Sequence, residues 1–357
     1  MVTTFVTLAG GVLMVFLGVG GAPFYGEKAD LLYWLDESGA RRDVSTVEGW
    51  AIRRGHVLSN MQLVMGALPD ADRGRAPEYE VLEEKEFAGY VRKTIRYEAG
   101  PGDRVSAFLF LPRPAMGRAA AMLCLHPTSP LGKRVVAGEG ERPNRNYGLE
   151  LAERGYVVLA PDYPGFGDDA GSRKRLYEQG YISCTMKGIL NHVRGVDLLA
   201  SLEEVDAERI GCIGHSLGGH NALFAGVFDT RLRVVVTSCG FTTFGKYKGG
   251  NLTGWTHDGY MPRIADVYGK DPARMPFDFT EVLGAIAPRG LFVSAPVHDD
   301  NFEVSGVRDA VAAARAVYGL YGAENRLRAM YPEAEHDFPD EARRRAYAFV
   351  DAVLHGD

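Results

Sequence analysis

The feature that most constrains the fold of this chain is a serine between glycines, at the junction of a predicted strand and a predicted helix. Residues 214–219 read GHSLGG; they follow the apolar run 209–213 and precede a helical pattern that begins at Leu217. A bare GxSxG also occurs in ordinary glycine turns. A serine on a strand-to-helix turn, however, adopts strained backbone angles, and side chains in place of the flanking glycines would collide with the adjoining elements. The context therefore predicts a nucleophile elbow that presents the hydroxyl of Ser216.

Strand and helix patterns alternate on both sides of this turn. Strand-like runs lie at residues 93–97, 105–111, 119–125, 156–160, 209–213, 232–238, 291–295 and 327–331. Helical patterns cover residues 146–154, 182–202, 217–228, 280–286, 306–318 and 340–354. Such alternation predicts an α/β fold, with a mostly parallel central sheet and helices on both faces.

The first 26 residues differ in composition from the rest of the chain. They contain no charged side chain, and residues 5–22 form an apolar run with the length of a signal peptide or a marginal membrane span. We expect a signal, and hence a secreted or periplasmic protein; if residues 1–26 are not a signal, the protein is expected in the cytoplasm. Five glycines within the run disfavour a stable membrane span, although an uncleaved anchor stays open.

Residues 27–87 are predicted to form an N-terminal helical extension ahead of a catalytic domain at 88–357. Ser45 and Glu48 have the spacing of a capping box at the start of a helix. Apolar residues follow at helical spacing, and Gly66 is a stop signal. The extension is therefore expected to be built around one long helix.

A serine hydroxyl needs a base to take its proton, and the base needs a carboxylate to orient it. His336, in the sequence EHDFP after the last predicted strand, is the best-placed base. The acid is expected in the segment that follows residues 291–295, where a short turn would aim Asp299 at the base. Asp300 and Glu303, a little further along, stay open as alternatives.

An oxyanion needs preorganised N–H donors. One is expected from the backbone of Leu217, directly after the nucleophile. The other is expected from the loop after residues 119–125, where Pro127 has no N–H to give and Thr128 is the preferred donor.

Residues 241–279 form a long aromatic stretch between two predicted core strands. Loops of this length are usually functional, so we expect a lid-like insertion that shapes the substrate pocket through Trp255 and Tyr260. The alternative is a surface excursion packed by its own aromatic side chains. His126 is a further candidate pocket residue, although it could instead brace its own loop.

Composition and the remaining motifs argue against several other classes. With 40 basic and 46 acidic residues the formal charge is −6, and no block of like charges suggests a nucleic-acid partner. The four cysteines form no CxxC and no zinc-type cluster with histidine, so no metal is expected. Residues 165–170 formally match a dinucleotide fingerprint, but two acidic residues within them would repel a pyrophosphate. We therefore expect no cofactor.

The motifs GHSLGG, EHDFP, HPT and PDYPGFGD together resemble those of the α/β-hydrolase superfamily, over residues 88–354. Within it, the chain is most similar to the dienelactone hydrolase and acetyl xylan esterase-like group. Ser216 stands where dienelactone hydrolases use cysteine, and Leu217 stands where cephalosporin deacetylase-type acetyl xylan esterases usually carry glutamine. The resemblance implies the α/β-hydrolase fold and a carboxylic-ester hydrolase that acts without a cofactor.

Ser216, His336 and Asp299 are accordingly expected to form a catalytic triad that works through an acyl-enzyme. The expected substrate is a short-chain acyl or acetyl ester of a small molecule or a carbohydrate. A prolyl-oligopeptidase-like peptidase or amidase, and a binding protein that keeps the fold without turnover, stay open as alternatives. The sequence leaves the acyl length and the oligomeric state undefined.

Overall fold

A computed structural model describes residues 22–70, 72–100, 102–114 and 117–356 of the chain. The predicted signal segment therefore lies outside the described residues, apart from 22–26. Within the described part, no helix is both long and apolar enough to cross a membrane.

A nine-stranded sheet forms the centre of the molecule, and a small hairpin lies apart from it. The hairpin strands are β1 (Tyr33–Leu35) and β2 (Arg41–Asp43). The sheet contains β3 (Tyr79–Glu86), β4 (Tyr90–Gly100), β5 (Asp103–Pro112), β6 (Ala119–Leu125), β7 (Val157–Pro161), β8 (Val205–His215), β9 (Leu232–Ser238), β10 (Gly290–Ser294) and β11 (Leu327–Met330). Their spatial order is β11-β10-β9-β8-β6-β7-β5-β4-β3. Neighbours from β11 to β7 pair in parallel, whereas the pairs β7/β5, β5/β4 and β4/β3 are antiparallel.

Helices cover both faces of this sheet. They are α1 (Val47–Met65), α2 (Tyr147–Glu153), α3 (Arg173–Glu178), α4 (Cys184–Ser201), α5 (Leu217–Phe228), α6 (Arg263–Asp266), α7 (Phe279–Gly284), α8 (Val304–Leu320) and α9 (Asp340–His355). One buried apolar cluster contains side chains of α1, α4, α5, α7 and α8, and the other contains side chains of α2 and α9. The prediction of a mostly parallel sheet between two helical layers is confirmed.

The N-terminal segment is helical only in part. Helix α1 begins after Thr46, whose Oγ1 accepts the N–H of Gly49 at 3.2 Å, so the predicted cap at Ser45 is wrong by one residue. The end at Gly66 is confirmed, with φ of 96° there. Residues 27–87 also hold the β1–β2 hairpin and β3, which is an edge strand of the main sheet. Every residue of β3 is exposed. The strand has no buried face, so no alternation of apolar and polar residues marks it in the sequence.

Residues 241–279 form several short helical turns rather than a loose loop. Besides α6, these are Tyr247–Gly250, Leu252–Trp255 and Pro272–Arg274. Phe244 and Phe277 are buried within the larger apolar cluster. Arg263 also donates from Nη1 to the carbonyl oxygen of Leu63 in α1, at 2.7 Å. The segment is therefore packed into the larger core, and its expected role as a lid-like insertion stays a prediction.

Candidate active site

Ser216 lies on the sharp turn between β8 and α5, with φ of 56° and ψ of −119°. Positive φ is strained for a residue other than glycine, and the Ser216 N–H holds the turn by donating to the carbonyl oxygen of Ser238 at 2.8 Å. A Cβ at Gly214 would stand 2.0 Å from the carbonyl oxygen of Gly218. A Cβ at Gly218 would stand 2.0 Å from the carbonyl oxygen of Leu125. The glycines therefore permit the close approach that the predicted elbow requires.

Three of the predicted side chains form one hydrogen-bonded chain. His336 Nε2 lies 2.9 Å from Ser216 Oγ, and His336 Nδ1 lies 2.9 Å from Asp299 Oδ2. Since the carboxylate only accepts, Nδ1 carries the hydrogen and Nε2 is free to accept the serine proton. His336 follows β11 and Asp299 follows β10, so both stand at the carboxyl edge of the parallel strands, where Ser216 follows β8.

The carboxylate of Asp299 is held in its charged form. Burial raises the pKa of Asp299, but the hydrogen bond and charge interaction with His336 and the backbone hydrogen bonds of Phe302 and Asn301 together lower it below its usual value. The N–H groups of Asn301 and Phe302 also donate to Oδ1, at 2.8 and 3.0 Å. This side chain can therefore fix the tautomer of the imidazole and stabilise its cation.

The two alternative acids do not contact His336. Asp300 is exposed, and its carbonyl oxygen accepts a hydrogen bond from Lys248. Glu303 bonds to Ser305 through its carboxylate. Asp299 alone of the three candidates meets the imidazole.

A cavity of about 540 Å³ opens in front of Ser216 and His336. Residues 127–131 and Val135 form one wall, and residues 140–142 with Arg145 form another. Thr128 lies in the first wall, and Leu217 begins α5, where the first N–H groups have no acceptor within the helix. Both expected oxyanion donors thus belong to segments that border the nucleophile.

None of the three expected pocket residues lines this cavity. His126 is fully buried, and its ring stacks on Tyr163 with 3.8 Å between centroids. Trp255 is buried as well, 4.8 Å from the ring of His220. Tyr260 reaches the site only at its rim, where its hydroxyl lies 3.0 Å from Thr128 Oγ1. The apolar surface of these side chains is used for packing, which the sequence pattern could not distinguish from use in a pocket.

The cavity-wall residues that the sequence did not predict include His215, Arg145 and Arg142. The buried ring of His215 lies 5.0 Å from that of His336, and burial lowers the pKa of His215 well below its usual value, which keeps it neutral. Arg145 is buried; it pairs with Asp337 and donates to the carbonyl oxygen of His336 at 3.0 Å. Arg142 is exposed on the same wall. His215 could have been found from its place beside the serine, but no local signal ties residues 142–145 to a histidine some 190 positions later.

Cys239 is the other unpredicted neighbour of the triad. Among the described residues, its thiol, Asp299 and His336 form a group whose potential metal-ligand atoms lie within 4.8 Å of one another. Burial raises the pKa of this thiol well above its usual value, and its Sγ donates to the carbonyl oxygen of Asp337 at 3.2 Å. A protonated thiol is a poor metal ligand, and the other two members already bond to each other.

The chain is similar to known proteins that are named as esterases or as hydrolases. A family model described as glucuronyl esterase of fungi matches residues 175–322, a stretch that contains Ser216 and Asp299 and ends before His336. YtaP of Bacillus subtilis (strain 168), a proposed hydrolase, is 26% identical over 301 residues, which are 82% of this chain and 96% of YtaP.

Solved structures extend the likeness to nearly the whole chain. A glucuronoyl esterase from Solibacter usitatus has a TM-score of 0.73 at 21% identity, covering 93% of this chain and 98% of its own. A proposed acetyl xylan esterase from Bacteroides fragilis has a TM-score of 0.63 at 17% identity, covering 84% and 85%. The resemblance to α/β-hydrolases is confirmed: this chain has the α/β-hydrolase fold, in the form that these esterases share.

Proposed function

We propose that this α/β-hydrolase is a serine carboxylic-ester hydrolase that acts on carbohydrate esters. The observation that carries the proposal is the unbroken hydrogen-bonded chain from Asp299 through His336 to Ser216, which opens on a cavity. Such a chain turns a weakly nucleophilic hydroxyl into an activated one. It also implies one reaction class, acyl transfer to serine and then to water.

In the first step, Ser216 Oγ attacks the ester carbonyl while its proton passes to His336 Nε2. Asp299 holds the imidazole and stabilises its positive charge, without taking the proton itself. The carbonyl oxygen becomes an oxyanion, which accepts hydrogen bonds from the N–H groups of Leu217 and Thr128. His336 then gives the proton to the departing alcohol, and the acyl group stays on Ser216.

In the second step, water attacks the acyl-enzyme with His336 again as the base. The proton taken from water returns to Ser216 Oγ as the acid is released, so the enzyme is regenerated. Besides the ester, water is the only reactant that this cycle requires.

Two kinds of ester on a sugar are compatible with the comparisons. In an acetyl xylan ester the sugar is the alcohol, whereas in a glucuronoyl ester the sugar is the acid; both names occur among the relatives. A cavity of about 540 Å³ has the size of a small-molecule site and can accept a sugar unit on one side of the serine. We therefore place the substrate among short acyl esters of carbohydrates and esters of uronic acids.

The test is a substrate panel on the wild type and on Ser216→Ala. The panel holds p-nitrophenyl acetate and butyrate, acetylated xylo-oligosaccharides, a glucuronic acid methyl ester, and a prolyl p-nitroanilide for peptidase activity. We expect a burst of p-nitrophenol from the wild type, turnover of a carbohydrate ester, and neither from the variant. Equal, slow hydrolysis by both proteins would remove the enzyme assignment, and turnover of the anilide alone would favour a peptidase.

We further propose that residues 1–22 direct export. The apolar run ends at Ala22, and the chain packs on α1 from Pro23 onward: the carbonyl oxygen of Pro23 accepts from Asn60 Nδ2 at 3.1 Å. Expression with the full sequence in a bacterial host, followed by N-terminal sequencing of the exported protein, tests this proposal. A cytoplasmic product with an intact N-terminus would contradict it.

A further inference from the structure

We propose that Lys133 is a positioning residue, which fixes the wall of the active site that carries the second oxyanion donor. The proposal rests on the proposed function and concerns an ion cluster next to the cavity-lining stretch 127–131, in which Lys133 and Asp162 are buried and Asp168 is partly exposed. The cluster consists of Lys133, Ser106, Asp162 and Asp168. Two of its members lie at or next to the 165–170 turn, whose glycines and aspartates the triad leaves unexplained.

All three hydrogens of the Lys133 ammonium group have an acceptor. Nζ lies 2.6 Å from Asp162 Oδ2, 2.6 Å from Asp168 Oδ2 and 3.0 Å from Ser106 Oγ. The backbone N–H of Lys133 also donates to Asp162 Oδ1, at 2.8 Å. The side chains of Lys133 and Asp162 are fully buried. Lys133 is thus held by backbone and side chain together.

These partners belong to the sheet and to the turn after it, whereas Lys133 belongs to the active-site loop. Ser106 lies in β5, and Asp162 follows the last residue of β7. Lys133 follows the stretch 127–131, which lines the cavity and includes Thr128. The cluster therefore fixes the chain to the sheet at Lys133, two residues after the last residue of this wall.

The backbone around the cluster is shaped to admit Asp162. Gly132 and Gly167 both have positive φ, and a Cβ on either would stand 2.1 and 2.2 Å, respectively, from Asp162 Oδ1. The N–H of Asp168 donates to Asp162 Oδ2 at 3.0 Å, so the 165–170 turn wraps the same carboxylate. Gly167 of this turn and Gly132 thus allow the two loops to approach one another around Asp162, which explains part of a motif that imitates a dinucleotide site.

Charge in this position has a cost that a simple packing role would avoid. Buried ion pairs seldom add stability over apolar residues of similar volume, but they hold a defined geometry when every donor is satisfied. Oxyanion stabilisation depends on such geometry, since a donor displaced by about 1 Å can cost up to about 10²-fold in rate. We infer that the cluster keeps Thr128 at its working distance from the developing charge.

The test uses Asp168→Asn, which removes one charge and keeps the side-chain volume. The matched control is Asp169→Asn. Asp169 is the next residue in the chain, and its carboxylate is not a partner of Lys133. Ser106→Ala, which removes a third acceptor from Lys133, is a second variant. We measure the burst amplitude to count active sites, kcat and KM with p-nitrophenyl acetate, the inhibition constant of a boronic acid that forms a tetrahedral adduct with serine, and Tm.

We expect Asp168→Asn to lower kcat per active site about tenfold, with KM changed by less than about twofold. Boronate affinity should fall about tenfold as well, because the adduct uses the same donors. Ser106→Ala should give a smaller loss of the same kind, and Asp169→Asn none. A fall in Tm with unchanged kcat and boronate affinity in both variants would overturn the proposal, and Ser106→Ala decides alone if Asp168→Asn does not fold. A wild type without esterase activity would overturn the proposed function, and this inference with it.

Discussion

At the scale of single residues, Asp299 orients His336, the base that contacts Ser216. Both of its carboxylate oxygens lie within 3.0 Å of His336 Nδ1, and Oδ1 also accepts two backbone N–H groups of its own turn. These two backbone hydrogen bonds therefore fix the carboxylate independently of its contact with His336. The preference for one tautomer of His336 follows from this contact.

Replacement of this acid tests the proposed triad directly. We expect Asp299→Asn to lower kcat by about 10⁴-fold, because the amide favours the tautomer in which Nε2 cannot accept the serine proton. Asp300→Asn is the matched control and should keep kcat within about twofold, since its side chain is exposed and does not meet the imidazole. Steady-state hydrolysis of p-nitrophenyl acetate measures both. Loss of activity in Asp300→Asn alone would show that Asp300, and not Asp299, is the triad acid.

The sequence could predict those site residues whose position follows from the chain order of the fold. Ser216 comes directly after a recognisable strand, and Asp299 and His336 follow the ends of theirs by five and six residues, so strand assignment brings the three together at one edge of the sheet. Arg145 could not be found this way, because its contact with Asp337 joins segments far apart in sequence. His126 and Trp255 were expected in the pocket because an aromatic side chain gives the same signal whether it packs or binds.

At the scale of elements, the start of α1 offers a local test. Thr46 Oγ1 caps the helix by accepting from Gly49 N–H, and Ser45 lies one residue before it. We expect Thr46→Ala to reduce the free energy of unfolding by about 1 kcal/mol, whereas Ser45→Ala should change it by less than about 0.5 kcal/mol. Urea denaturation followed by circular dichroism measures both. An equal cost for the two variants would mean that the cap is shared.

Helix α1 is also fixed by a buried ion pair. Arg53 Nη2 lies 2.5 Å from Glu281 Oε1 of α7, and neither side chain is exposed. The Arg53 guanidinium also lies over the ring of Tyr25, 3.1 Å from its centroid. The contact therefore joins three parts of the chain that are distant in sequence.

Breaking this pair from one side should cost more than removing both charges. We expect Arg53→Met to lower the free energy of unfolding by about 3–5 kcal/mol, because it leaves the Glu281 carboxylate buried without a partner. Adding Glu281→Gln should restore part of that loss, since the amide is neutral and can still accept the N–H of Asp278. Urea unfolding of the wild type, both single variants and the double variant gives the coupling energy. Additive losses would show that the two charges do not interact.

Element predictions succeeded for buried apolar segments bounded by clear turns and failed where burial leaves no pattern in the sequence. The bounds of β6, α5 and β9 agree with the sequence prediction, because these elements are almost wholly buried and end at clear turns. Strand β3 was not predicted, because only its hydrogen-bonded pairing with β4 determines that it is a strand. The short turns within residues 241–279 were not resolved either, since tertiary packing of aromatic side chains, rather than local propensity, determines them.

At the scale of the whole molecule, the N-terminal segment and the 241–279 insertion share one apolar core. Trp50 of α1 and Trp255 of the insertion are both buried in the larger cluster, together with residues of α4, α5, α7 and α8. A Cβ on Gly284 in α7 would lie 3.2 Å from the indole of Trp50, so α1 packs closely against the catalytic part. The boundary proposed at residue 87 therefore does not separate two cores.

This shared core predicts one cooperative unfolding transition for the described part of the chain. The chain has three tryptophans, so the double variant Trp34→Phe, Trp255→Phe leaves Trp50 as the only indole, and Trp34→Phe, Trp50→Phe leaves Trp255. Within each variant, the urea midpoint from fluorescence should coincide with the midpoint from far-ultraviolet circular dichroism. Comparing two probes on the same protein removes any difference in stability that the substitutions cause. If the fluorescence of Trp50 changes at a lower urea concentration than the dichroism, α1 unfolds first and the N-terminal segment is a separate folding unit. If the two midpoints coincide, α1 is needed to cover the sheet that carries Ser216.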